Sequence, residues 1–70
     1  MIPSEQYDVI YNKMYICYIN KSDEELIEMW KYHQFHFKYK DDINCIGFTV
    51  CEDILRQREN TYLDDNYPKD

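Results

Sequence analysis

Seventy residues leave room for one domain, and a net charge of −6 argues against a general DNA-binding surface, because phosphate contacts require positive charge. Three cysteines do not form the even framework of a disulfide-rich secreted mini-protein, and the opening "MIPSEQYDVI" lacks the pattern of a secretory signal. No apolar run approaches the ~20 residues of a membrane span, so the expectation is a cytoplasmic chain with reduced thiols and no membrane partner.

A chain of this size buries only about 60% of its unfolded surface, so its core must be small. Eight Tyr, three Phe, one Trp and eight Ile supply large apolar side chains, whereas Ala is missing and Gly47 is the single glycine. Ile, Tyr, Asn and Lys use AT-rich codons and Ala and Gly use GC-rich ones, which hints at an AT-rich genome such as that of a phage, a mobile element or a low-GC bacterium.

The first predicted element is a helix over about residues 5–19. Ser4 can cap it, Glu5 suits the positive end of its dipole, and Tyr7, Ile10, Tyr11, Met14 and Tyr18 share one face. The run "MYICYI" also fits a buried strand, so an α+β arrangement with strands near 14–19 and 35–40 is the alternative. A second helix is predicted over about 23–39. Ser22 and Glu25 have the spacing of a capping box, in which each side chain satisfies the other's backbone amide. Asp23, Glu24, Glu25 and Glu28 load its first turns with negative charge. Leu26, Trp30, His33 and Phe37 form its inner face, with Gly47 of the next element on the surface such a helix would approach.

At about 100° per residue, Tyr32, Phe35 and Tyr39 fall within about 60° of one another on the opposite side. Lys31, Lys38 and Lys40 accompany them, at the end where the dipole favours cations. A third helix is predicted over about 43–60, with Ile43, Ile46, Val50 and Ile54 inward and Cys51 and Leu55 widening that face. Thr49 and Glu52 offer a rival capping box that would start this helix later. Residues 1–60 are therefore expected to form a small all-α domain, a three-helix bundle. Residues 61–70, polar and without a period, read as a flexible acidic tail.

No motif carries a reaction. His33, His36, Cys45 and Cys51 are suitable zinc ligands by type, but H-x2-H-x8-C-x5-C is not the spacing of a zinc finger. The adjacent acids at Glu24–Glu25, Asp41–Asp42, Glu52–Asp53 and Asp64–Asp65 lack the separated environments that acid–base catalysis requires. No phosphate-binding glycine loop or nucleophile elbow occurs. The expectation is a protein with no enzymatic activity, cofactor or metal. Its function would lie in protein–protein contact through Tyr32, Phe35 and Tyr39, with Lys31 and Lys38 as a cationic rim. A small phage-type modulator or inhibitor of a host protein fits this description. The alternatives are a homo-oligomeric accessory protein using the same stripe, and a single-strand nucleic-acid binder using residues 30–40, against which the bordering acids weigh.

Overall fold

The computed structural model describes residues 4–36 and 43–66. Within them the chain is all-α: α1 Ser4–Tyr18, α2 Asp23–His36, α3 Ile43–Gln57 and the short α4 Tyr62–Asn66. The helical reading holds over 14–18, where a strand was the alternative, and at Phe35 and His36. The remainder of that second stretch, with Phe37, Lys38, Tyr39 and Lys40, lies outside the described residues.

α2 starts as its sequence requires. The Glu25 amide donates to Ser22 Oγ at 3.2 Å and the Ser22 amide donates to Glu25 Oε1 at 3.4 Å, which closes the capping box. The rival box at Thr49 is not a helix start. Thr49 lies mid-way along α3, where its hydroxyl donates to the Cys45 carbonyl at 3.0 Å. Glu52 bonds instead to Arg56, one turn on. α3 ends at Gln57, short of residue 60, in a Schellman motif. Asn60 N–H donates to Leu55 O and Glu59 N–H donates to Arg56 O, each at 3.0 Å, with Glu59 at φ 59°.

α3 is the element on which both α1 and α2 pack. It contributes Ile46, Val50, Cys51, Ile54 and Leu55 to the core, and α2 contributes Leu26 and Trp30. Trp30 stacks on Phe48 at 5.2 Å between ring centroids and meets Tyr62 edge-on at 6.2 Å. Each fully buried side chain of this kind contributes about 1.5–3 kcal/mol. Residues 61–70 were expected to form a flexible acidic tail, and within that stretch a short helix packs on the core. α4 occupies 62–66, and its Leu63, at 1% exposure, belongs to the core. A single apolar side chain in a five-residue helix has no periodicity to reveal it, and its burial depends on the surface that Trp30 and α3 present.

α1 is held differently. Tyr7, Ile10, Tyr11, Met14, Tyr15, Tyr18 and Ile19 pack against the core but remain half-buried. Its tyrosines complete the attachment through their hydroxyls. Tyr11 Oη donates a short hydrogen bond to Asp53 Oδ2, and Tyr15 Oη donates to Gln57 Oε1 at 2.7 Å. Burial, followed by the neighbouring Asp53 carboxylate, raises the Tyr11 phenol above its ordinary range, so it remains a donor. Arg58 ties the α1–α2 turn to the end of α3. It donates to the carbonyls of Ile19 at 2.6 Å and Lys21 at 2.8 Å and pairs with Asp23 at 2.8 Å. Asn60 also donates to Asp23, at 3.1 Å.

Candidate interaction surface on the second helix

The inner and outer faces of α2 have opposite chemistry because of their spacing. Leu26, Trp30 and His33 recur at steps of four and three and turn inward. His33, at 8% exposure, is the buried polar residue of that face. Asn44 Oδ1 can only accept, so His33 Nδ1 donates to it at 3.0 Å and Nε2 accepts from Tyr18 Oη at 3.2 Å. The ring lies against Gly47, where a Cβ would come within 2.5 Å of Nε2. Gly47 is therefore required by close approach, as its place on the inner face of α3 suggests. Desolvation raises the Tyr18 phenol, with Cys51 and Cys17 adding to the effect.

The outer face carries Tyr32 at 59% and Phe35 at 84% exposure. His36, which the sequence reading left out of this surface, lies between them. Its ring is 4.3 Å from that of Tyr32 and 5.2 Å from that of Phe35, measured between centroids. The i, i+4 and i, i+1 spacings contain that signal, since an imidazole is also a flat ring that can join an aromatic stripe. The other two residues expected on this stripe and its rim, Tyr39 and Lys38, lie outside the described residues. Lys31 turns away from the stripe. Its Nζ lies 5.5 Å from the centre of the Tyr62 ring and 3.8 Å from Glu28 Oε1. Tyr62 and Glu28 together raise its ammonium above the ordinary lysine range. Lys31 thus covers α4, an arrangement that could not be foreseen without knowing that residue 62 folds back onto α2.

The candidate zinc ligands do not converge. His33 is engaged by Tyr18 and Asn44, His36 is exposed, and Cys51 is buried while Cys45 is half-buried. Burial pushes the Cys51 thiol up to about 12, which marks it as a packed, unreactive sulfur. Among the described residues, no three His, Cys, Asp or Glu side chains group to hold a metal ion. No described helix is long and apolar enough to cross a membrane. The chain matches no protein-family model, no curated protein and no solved structure.

Proposed function

We propose that this protein is a non-catalytic interaction module that acts in the cytoplasm, a small acidic modulator of the phage type that docks on another protein through the outer face of α2. The observation that supports this reading is the contiguous ring group Tyr32–His36–Phe35, with Phe35 84% exposed at the end of a helix whose opposite face is core. Scattered apolar side chains are normal on a surface, whereas adjoining aromatic rings mark contact sites, and tyrosine is enriched among residues that dominate binding energy. The small size and acidity of the chain fit such a modulator, and its abundance of Ile, Tyr, Asn and Lys, residues with AT-rich codons, is in keeping with a phage-type origin.

The test is a photo-crosslinking residue introduced at Phe35, with a control at the exposed Glu24 on another part of α2. Covalent capture of a protein from position 35, absent from position 24 and abolished by Tyr32→Ser, is the expected result. Equal capture from both positions would show that the ring group is not the docking surface.

A further inference from the structure

We infer that the outer face of α2 is covered by a basic amphipathic helix of a partner protein, with apolar side chains over Tyr32, Phe35 and His36 and Lys or Arg side chains over Glu28 and Glu25. The inference rests on the reading of that face as an interaction surface and names the chemistry of its occupant. The rings supply the apolar contact, and the charges beside them select what can make it. At about 100° per residue, Glu25, Glu28, Tyr32, Phe35 and His36 lie within roughly 100° of arc, and their eleven-residue span is a stripe about 16 Å long. Its upstream half is acidic and its downstream half is a group of adjoining rings. Glu24 lies to one side, about 70° from the middle of the stripe.

No lysine or arginine lies in this stripe among the described residues. Lys31, at its edge, is held over the Tyr62 ring. Its ion pair with Glu28 is 3.8 Å long and leaves the Glu28 side chain 76% exposed, a surface pair of little energy that does not prevent a second partner. Glu25 accepts from the Ser22 amide through Oε1 and is itself exposed. A partner that covers Tyr32 along the helix also covers Glu28, one turn upstream. A carboxylate that loses water without gaining a counter-charge opposes such a contact. Cationic side chains on the partner remove that opposition, and the net charge of −6 draws them in from a distance. The same charge repels nucleic-acid phosphates and anionic lipid headgroups, so the occupant is a protein. The stripe is a convex ridge that repeats once per turn, and the groove between side-chain rows of another helix fits such a ridge.

Fluorescence anisotropy of the full chain with three labelled peptides, each about five helical turns long, tests this. The first is an amphipathic helix of Leu and Lys, the second has Glu in place of Lys, and the third has Gln in place of Leu. The Leu–Lys peptide is expected to bind, about tenfold more weakly at physiological than at low salt, and the other two at least tenfold more weakly than the first. Phe35→Ser is expected to weaken its binding about thirtyfold and Glu28→Lys about tenfold. Asp8→Lys, the same reversal of charge on the exposed side of α1, is expected to weaken it about twofold, by the loss of general attraction alone. Because these side chains are exposed, the helical circular-dichroism spectrum should not change. Equal effects of Glu28→Lys and Asp8→Lys, or unimpaired binding by Phe35→Ser, would reduce the contact to attraction between net charges and overturn the inference. Equal binding of the Leu–Glu peptide would overturn it too, while the rings remained a docking surface. If no peptide binds, the inference fails, and crosslinking from position 35 still decides whether the interaction surface stands.

Discussion

α2 with α3 and α1 with α3 are two helix pairs in one small fold, and they are held by different means. The first pair buries Leu26, Trp30, Ile46, Val50, Ile54 and Leu55 almost completely. The second packs side chains that stay half in water and secures them with phenolic hydrogen bonds to Asp53 and Gln57. The described residues extend 31 × 29 × 16 Å, and in so flat an arrangement an outer helix cannot be enclosed. Tyrosine suits that position, since its ring covers apolar surface while its hydroxyl reaches a polar partner at the edge. The tyrosine-rich composition thus has a local purpose: α1 is attached by groups that tolerate partial exposure.

The comparison can be broken first at its tight side. Trp30→Ala is expected to destabilise the fold by about 3–5 kcal/mol, which rivals the whole stability of a small domain. Near-normal urea denaturation of that variant would show that the α2–α3 core does not depend on the indole.

Gly47→Ala comes next. The added methyl would meet the His33 ring, and overpacking of this kind costs about 1–3 kcal/mol, offset in part by about 1 kcal/mol of improved helix propensity. Adding His33→Ala should remove the clash, so a double-mutant cycle is expected to show strong coupling. Simple additivity would mean that the two helices are not in close contact there.

On the looser side, Tyr11→Phe is expected to cost roughly 1.5–2 kcal/mol, the value of a hydrogen bond to a charged acceptor. Native-state hydrogen exchange should locate the loss in the amides of α1, which are also expected to open at lower free energy than those of α3. Uniform protection across both helices would erase the distinction between the pairs.

Ser22→Ala should cost about 1 kcal/mol by removing the cap of α2. An unchanged denaturation midpoint would show that the box contributes nothing.

The smallest expected effect is on the seam between the two pairs. Arg58 first, then Asn60, hold the Asp23 carboxyl below the ordinary aspartate range. A depressed folded-state value means that this stabilisation is complete above about pH 4, near the unfolded value. It is lost as pH falls through the lower folded value. Denaturation of the native chain and of Asp23→Asn should therefore differ at neutral pH and converge in acid. A difference that persists in acid would assign the role of Asp23 to something other than its charge.

Much of the tight pair was legible in the sequence. The steps Leu26–Trp30–His33 and Ile46–Val50–Ile54 are local patterns of one helix each, and the Ser22–Glu25 box is written within four residues. Thr49 and Glu52 repeat that spacing as a decoy, because an S/T-x-x-E string also occurs inside helices, where the hydroxyl turns back to a carbonyl. What could not be read depends on tertiary placement. Leu63 is core only because α4 returns to Trp30, and Lys31 is drawn from the aromatic stripe by that same return. The exposure of Tyr32 and Phe35 followed from helical angles alone, whereas the place of His36 between them required the side chains themselves.

The Arg58 tether has a consequence for how the chain is made. It joins Ile19, Lys21 and Asp23 to a residue 35 to 39 positions later, and the Tyr11 and Tyr15 bonds each span 42 positions. During synthesis from the N-terminus, at about 5–20 residues per second, the residues of α1 and α2 precede by some seconds those of the helix on which both pack. Neither can complete its native contacts until α3 and Arg58 have left the ribosome. The contacts that attach α1 and the α1–α2 turn therefore cannot close until residues 53–58 have been made.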